Sequence, residues 1–311
     1  MVSPGDQAAH LRRHDRRRDP RDRPRSDPEA RRGVPGTRRR GAGHERFAGD
    51  LRPPPGRSRA ALRDRRGGAG CIRGRARQGE EAMGDWFGRL PQADCFVQET
   101  PSGPTAFYFP PATDGSRPGT FFVNTADPTS WGRYEIEAIA YHEGIPGHHL
   151  QLAISGELTD VPEFRKHARV TAYAEGWGLY TERLADEMGL YSGPVERIGM
   201  LSADSMRAGR LVVDTGIHAK GWTRQQAIDF MVDNSPLHVG TIEPEIDRYI
   251  GMPGQALAYM IGRLEIVRMR KEAEEAMGDR FDIKGFHDTV LCSGLVPLGT
   301  LDRMVKEWAA E

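Results

Sequence analysis

The chain has 311 residues with 44 basic and 44 acidic side chains, a length that allows one large domain or two ordinary ones. Its charge is divided unevenly: residues 1–80 carry 23 Arg, no Lys and 10 acidic residues, and the rest carries 21 basic residues against 34 acidic ones. No run of about 18 apolar residues and no apolar signal region occurs, so we expect neither a membrane span nor secretion.

The first predicted unit, residues 1–81, is an Arg-, Pro- and Gly-rich tract that we expect to be disordered. Phe47 is its only aromatic residue, so the tract has almost nothing to bury against the entropy of ordering. An Arg-rich arm can bind nucleic acid through phosphates, but such an arm usually mixes Lys with Arg. We therefore expect no nucleic-acid partner, and favour a misread or wrongly started reading frame as the origin of the tract.

The cysteines bear on the cellular compartment. Cys71, Cys95 and Cys292 are widely spaced and form no CxxC pair, which supports neither a disulfide framework nor a cysteine-type zinc site. A reducing, cytoplasmic location is therefore the default expectation. Export stays open, because a wrongly started chain would have lost any signal peptide.

Residues 82–311 are predicted to fold. Two short aromatic runs at 107–109 and 120–123, separated by turn residues, predict a small β hairpin or two neighbouring strands. Beyond residue 130 apolar residues recur at helical spacing, so the predicted class is mainly α. Residues Thr223 and Gln226 form a capping box at one helix start. The predicted helices cover residues 133–154, 162–188, 194–213, 223–231, 253–277, 282–292 and 299–309.

The first predicted helix carries an unusual run of polar residues. The run is His142-Glu143-Gly144-Ile145-Pro146-Gly147-His148-His149. In the H-E-x-x-H motif, two histidines four residues apart share a helical face and bind zinc, and the Glu beside the first acts as a base. Pro146 takes the fourth position here, so the second ligand must be His148 or His149.

Backbone chemistry favours one of these two histidines. Pro146 lacks an N–H and clashes with the carbonyl four residues earlier, and Gly147 tolerates unusual dihedral angles, so we expect a helical bulge. A bulge that absorbs two residues brings His148 to the place of the second ligand. We predict His148 as the ligand and keep His149 as a neighbour or substitute.

A third ligand should come from another helix, because a hydrolytic zinc site uses three protein ligands and keeps a position for water. Glu175 lies beside Gly176 in the second long predicted helix, within a largely apolar stretch. We predict that Zn²⁺ is bound by His142, His148 and Glu175. Glu182, seven positions further on and roughly on the same face, is a candidate outer acceptor for a ligand histidine.

Two further residues suit the stabilisation of a transition state. An oxyanion needs a donor such as His or Tyr, and the candidates are His218, four residues after Asp214, and Tyr259, with Arg210 a weaker one. The Asp–His pair is equally compatible with a contact on a helix surface, and the tyrosine with a core position.

Four segments, in order, resemble the bacterial "domain of unknown function 885" proteins, which look related to gluzincin peptidases. They are the His-Glu run, Tyr173–Tyr180, Arg210–Trp222 and Pro253–Tyr259. The resemblance runs from about residue 82 to the end of the chain and covers only the C-terminal part of the family's usual length. It implies a helical, zincin-like metallopeptidase domain, with Glu175 on a ligand helix like that of gluzincin aminopeptidases.

The sequence thus predicts zinc-dependent hydrolysis of a peptide substrate, with Glu143 as general base. The strands near Phe107 and Phe121 are expected to pair with an extended substrate backbone. The main alternative is an inactive fragment, because the N-terminal portion of the family is missing. A di-iron carboxylate bundle is excluded, because it needs Glu-x-x-His on two helices and Pro146 stands three residues after Glu143.

Overall fold

The computed structural model describes residues 82–126 and 132–311. The predicted disordered tract, residues 1–81, and its cysteine therefore lie outside the described residues. The described part is mainly helical with a small sheet near its N-terminal side, as the sequence predicts.

Three short strands form one sheet: β1 (Cys95–Thr100), β2 (Ala106–Phe109) and β3 (Gly119–Asn124). Strand β3 lies in the middle, parallel to β1 and antiparallel to β2. Phe121 of β3 is fully buried and packs with Ile136 and Ala140 of the first helix. The predicted hairpin is thus present as β2 and β3, and β1 is a strand that was not predicted.

The order of the strands corrects one prediction about substrate binding. Strand β3 has a hydrogen-bonded neighbour on each side, so the backbone around Phe121 has no free edge for an extended substrate. Strand β2, which contains Phe107, pairs with β3 on one side only within the described sheet. Any pairing with a substrate strand is therefore restricted to the outer strands.

The described residues form ten α-helices. They are α1 (Ile136–Glu143), α2 (His148–Glu157), α3 (Glu163–His167), α4 (Thr171–Glu187), α5 (Pro194–Lys220), α6 (Arg224–Asn234), α7 (Val239–Gly251), α8 (Ala258–Met277), α9 (Ile283–Leu291) and α10 (Leu298–Ala310). Short 3-10 turns at Met83–Asp85, Arg133–Glu135, Gln255–Leu257 and Gly278–Arg280 lie between them or before them.

Two of the predicted helices are each divided in the structure. Helix α1 ends at Glu143 and α2 begins at His148, with a cis peptide bond before Pro146. The expected bulge is therefore a complete break, because the chain leaves helical geometry at both Gly144 and Gly147. The second predicted helix is likewise interrupted between α3 and α4.

Helix α7 was not predicted, and Pro244 lies inside it. A proline in a helix interior costs about 3 kcal/mol. Ile242, Ile246 and Tyr249, spaced at i, i+4 and i+7, are all buried in a cluster with residues of α5 and α6. Since burying one large apolar side chain contributes about 1.5–3 kcal/mol, this stripe offsets the cost of the proline.

The main core surrounds helix α4, where Trp177 is completely buried among side chains of α2, α8, α9 and α10. His287 of α9 ties the first described residues to this core. Its Nδ1 lies 2.8 Å from the Trp86 carbonyl oxygen and its Nε2 lies 2.9 Å from the Tyr180 hydroxyl. Burial lowers the pKa of His287 to about 4, so a neutral ring donates to Trp86 and accepts from Tyr180.

Helices α4 and α8 approach each other closely through two glycines. A Cβ on Gly262 would lie 1.9 Å from the carbonyl oxygen of Ala172 and 2.7 Å from the Cα of Gly176. Both contacts are to backbone atoms, which cannot move aside without shifting a helix. The pairing of α4 with α8, and hence the position of every residue on α4, depends on these glycines.

Gly262→Ala should therefore destabilise the protein by about 1–3 kcal/mol, the usual effect of overpacking a core. Thermal unfolding followed by circular dichroism would show this as a fall in melting temperature. Gly299→Ala is a matched control, because Gly299 is an exposed helical residue whose Cβ would meet nothing within 4 Å. The control should keep or slightly raise the melting temperature, and equal effects of the two changes would contradict the close-contact explanation.

Candidate metal centre

The break between α1 and α2 brings two histidines together. The ring centres of His142, on the last turn of α1, and His148, at the start of α2, lie 4.8 Å apart. Gly147 permits this return of the chain, because a Cβ there would lie 2.0 Å from the His142 carbonyl oxygen. The indole N–H of Trp177 donates to the Pro146 carbonyl over 3.0 Å and holds the break against α4.

Helix α4 adds a carboxylate to the histidine pair. One oxygen of Glu175 lies 3.5 Å from Nε2 of His142 and 3.4 Å from Nε2 of His148. One ligand atom from each residue lies within 4.8 Å of the others. Two histidines and one glutamate form a ligand set found in catalytic zinc sites, so the donor chemistry of this cluster fits a zinc ion.

Glu182, two turns along α4 from Glu175, fixes the other side of the His142 ring. Its Oε1 lies 2.8 Å from Nδ1 of His142 and 3.5 Å from Nη2 of Arg207, and the glutamate is almost fully buried. When Nδ1 of His142 carries a proton, it donates to Glu182, and Nε2 on the other side of the ring faces Glu175. Carboxylates in this outer position orient ligand histidines and raise their basicity.

Space for the His142 ring is provided by Gly178. A Cβ at this position would lie 2.7 and 2.8 Å from two atoms of the ring. The hydroxyl of Thr181, one turn further, donates to the Tyr141 carbonyl over 3.2 Å and ties α4 to α1. One face of α4 therefore both makes room for His142 and supplies its neighbours.

The ionisable side chains of the cluster are buried close to one another, and this shifts their pKa values. Burial opposes protonation of His142, but its contacts with Glu175 and Glu182 raise its pKa to about 10. Burial opposes ionisation of Glu175 too, yet His142 and His148 hold the pKa of that carboxyl well below its usual value. Burial raises the pKa of Glu143, which follows His142 in the chain. Nδ1 of His148 is buried and has no hydrogen-bond partner among the described residues.

His149 faces a different neighbourhood from His148. Its Nδ1 lies 2.7 Å from the Tyr108 hydroxyl of β2, and its Nε2 lies 3.0 Å from the Ala93 carbonyl oxygen. Burial lowers the pKa of His149 to about 4, so the neutral ring uses both nitrogens to hold the sheet against α2. The structure therefore places His148, and not His149, beside His142 and Glu175.

Tyr259 is close to the histidine cluster. Its ring centre lies 6.4 Å from that of His142, with the two planes inclined by only 25°. The guanidinium carbon of Arg210 lies 4.5 Å from the centre of the tyrosine ring. Arg210 in turn donates to the Tyr249 hydroxyl and to Glu245 on α7, each over 2.7 Å.

His218 has another set of contacts. Its Nε2 lies 2.9 Å from the carbonyl oxygen of Tyr249, and Asp214 accepts from the backbone N–H of Gly254. These bonds tie the last turns of α5 to the end of α7 and to the segment before α8. They join His218 to Tyr249 rather than to the histidine pair.

Sequence reasoning missed three residues around this site. They are Arg207, Glu245 and Tyr249. The last two lie on α7, which was not predicted, although the apolar spacing of Ile242, Ile246 and Tyr249 was a usable signal. Arg207 lies one turn before Arg210 on a predicted helix and no motif distinguishes it.

Comparison with known proteins identifies one family and several similar solved structures, two of which are described below. The profile of a family described as "Bacterial protein of unknown function (DUF885)" matches residues 69–305. The match begins within the residues predicted to be disordered and extends almost to the end of the chain. No curated protein matches this sequence.

The first similar structure is from Colwellia psychrerythraea and is described as a "putative lipoprotein". It is 37% identical with a TM-score of 0.78, and the alignment covers 81% of this chain but 44% of that one. A "putative lipoprotein of unknown function" from Shewanella oneidensis is 24% identical with a TM-score of 0.69, covering 78% and 46%. The chain thus spans less than half the length of either protein. None of the helices in the described ranges combines the length and apolar character that a membrane crossing requires.

Proposed function

The chain belongs to the DUF885 family of bacterial proteins, and from the cluster of His142, His148 and Glu175 we propose that it is a zinc-dependent peptidase of the gluzincin type. The supporting observation is the ligand set: two histidine nitrogens and a carboxylate oxygen, within 4.8 Å of one another, on three different helices. Glu143 adjoins the first of these histidines, as the base does in zinc peptidases.

In the proposed mechanism, the metal and the side chains have separate roles. Zinc held by the three residues would polarise a peptide carbonyl and lower the pKa of a water molecule towards about 7. Glu143 accepts the proton of the attacking water and returns it to the leaving amine. The Tyr259 hydroxyl donates to the oxyanion that develops on the carbonyl. We assign His218 a supporting role, because its ring holds the end of α7.

Metal analysis of the purified full-length chain tests the proposal directly. One zinc per chain is expected, and its removal by a chelator should lower the melting temperature, because an ion that binds only the folded state stabilises it. A chain that binds no zinc at micromolar concentration would contradict the proposal.

Glu182→Ala should weaken zinc binding by about 10- to 100-fold, because the ring of His142 loses its orienting acceptor. Competition with a chromogenic chelator measures this change. Glu182→Gln is the matched variant, since its amide oxygen can still accept from Nδ1 and should restore most of the affinity. If both variants bind zinc as the wild type does, the bond between Glu182 and His142 does not contribute to the site.

The alternative function is that of a non-catalytic fragment that requires another polypeptide. Two observations support it: the chain spans less than half of its structural relatives, and Ile261, Leu264 and Val267 of α8 are exposed apolar side chains at regular spacing. Light scattering and circular dichroism of the purified chain distinguish the two functions. A compact, zinc-loaded monomer supports the peptidase, and an aggregating chain without cooperative unfolding supports the fragment.

The descriptions of the similar structures bear on cellular location more directly than the spacing of the cysteines does. The structures from Colwellia psychrerythraea and Shewanella oneidensis are each described as a "putative lipoprotein", and lipoproteins are exported, lipid-anchored proteins. We propose that longer members of the family resembling this chain act outside the cytoplasm. The proposed functional unit is residues 82–311, with residues 1–81 dispensable for the metal site.

A further inference from the structure

Arg210 is an unusual residue because it is buried and incompletely paired. It is only 5% exposed, and its Nε and Nη2 donate to Tyr249 and Glu245. Its Nη1 is buried and has no hydrogen-bond partner among the described residues. An unsatisfied donor on a buried charged group is unfavourable, so this nitrogen is suited to a ligand that supplies an acceptor.

A second guanidinium group contacts the same carboxylate as Arg210. Nη2 of Arg210 and Nη2 of Arg248 both contact the same carboxylate oxygen of Glu245, at 2.7 and 2.9 Å. Arg248 uses its Nη1 to donate to the Gln255 side chain. Two guanidinium groups therefore share one carboxylate, and an anionic group of a ligand would balance the remaining charge.

Arg210 also lies within a short peptide's reach of the metal cluster. Its guanidinium carbon is 4.5 Å from the Tyr259 ring centre, which is 6.4 Å from the His142 ring centre. Arg210 is therefore at most about 11 Å from His142, a span that one or two extended residues, at about 3.5 Å each, and a hydrogen bond can bridge. Guanidinium groups bind carboxylates through charge-assisted hydrogen bonds.

We infer that Arg210 binds the free C-terminal carboxylate of the substrate, one or two residues beyond the bond that is cleaved. This inference rests on the proposed peptidase function and names its substrate class: peptides cut close to a free C-terminus. Tyr259 lies between the carboxylate site and the zinc ligands, so its ring lines the path that the last residues of the substrate occupy.

Matched peptides test this inference on the wild-type, full-length, zinc-loaded chain. A mixture of tetrapeptides is prepared once with free C-terminal acids and once with C-terminal amides, and cleavage is followed by mass spectrometry. We expect kcat/KM to be at least about tenfold higher for the acids, mainly through KM, because the contact is made with the bound substrate as well as the transition state. Equal cleavage of acids and amides overturns the inference and leaves the proposed function intact, whereas cleavage of neither overturns the proposed function.

A second pair of peptides separates the two sources of a carboxylate. Amides that carry Glu or Gln after the cleaved bond differ only in a side-chain carboxylate. If Glu is favoured among amides while acids and amides are cleaved equally, the group bound is a side chain and the assignment to the C-terminus is wrong.

Substitutions test whether Arg210 causes the preference for peptides with a free C-terminal acid. Arg210→Gln should abolish the preference for acids, and Arg210→Lys should retain part of it because the positive charge remains. Arg268→Gln is the matched control on the outer face of α8, where Arg268 contacts Glu265, Glu272 and Asp302, and it should keep the full preference. A folded Arg210→Gln protein that still prefers acids overturns the assignment. If this variant fails to fold, a preference for acids that is reduced in Arg210→Lys but complete in Arg268→Gln supports the assignment, and an undiminished preference in Arg210→Lys overturns it.

Discussion

Replacing Glu143 by Gln should lower peptide hydrolysis by about 10²- to 10⁴-fold while zinc remains bound. General acid–base catalysis usually contributes a factor of this size, and the amide keeps the shape of the side chain but cannot accept a proton. Glu143 ends α1 immediately after His142, and it is not among the three residues whose ligand atoms converge. Zinc content by metal analysis and initial rates on a peptide library measure the two effects separately.

The exposed Glu163 supplies a control for this substitution. It lies at the start of α3 and contacts Lys166 and His167 on its own helix. Glu163→Gln should leave both zinc content and hydrolysis near wild type. Loss of zinc in Glu143→Gln would identify Glu143 as a ligand, and full activity in a zinc-loaded Glu143→Gln protein would remove it from the mechanism.

His148→Ala should weaken zinc binding more than about 100-fold, beyond what loss of an outer hydrogen-bond partner causes. His148 directs Nε2 towards Glu175 at 3.4 Å, so alanine deletes one of three ligands. His149→Ala should keep most of the zinc, because both ring nitrogens of His149 are bonded to Tyr108 and Ala93.

For thermal stability measured without metal, the two alanine variants should rank in the opposite order to their zinc affinities. His149→Ala removes the hydrogen bonds that join α2 to Tyr108 of β2 and to Ala93 before β1, and its melting temperature in the absence of metal should fall below that of His148→Ala. Isothermal titration with zinc and thermal unfolding in chelator give the two rankings. Equal zinc affinity in the two variants would show that the cluster of His142, His148 and Glu175 does not bind the ion.

The helical class was predictable because apolar residues recur at helical spacing along most of residues 132–311. Where prediction failed, a tertiary contact outweighed a local signal. Helix α7 contains Pro244, a residue type that disfavours a helix interior, but three buried side chains stabilise that helix. Helix α5 continues to Lys220, beyond the predicted end at Val213, and stops where Gly221 adopts a φ of 69°. Strand β1 mixes polar with apolar residues and acquires its form only by pairing with β3.

Part of the candidate site could be predicted from the sequence. His142, His148 and Glu175 stand out because a His-Glu pair, a Pro-Gly breaker and an acidic residue in an apolar helix occur together. The break at Pro146 was anticipated as a bulge, and the hydrogen bond from the Trp177 indole to the Pro146 carbonyl is a tertiary contact that the local sequence does not reveal. The hydrogen-bond partners of Arg210 come from α7, and local sequence patterns do not reveal that this helix packs against α5.

The two glutamates of α4 that contact His142 must keep a fixed number of residues between them. Glu182 follows Glu175 by seven positions, so both lie on nearly the same helical face, about 10.5 Å apart along the axis. The ring of His142 lies between them and contacts one through Nε2 and the other through Nδ1. Removing or adding one residue between them would turn one glutamate by about 100° away from that ring. We therefore expect insertions and deletions to be absent from this stretch and confined to segments such as the loop between α2 and α3.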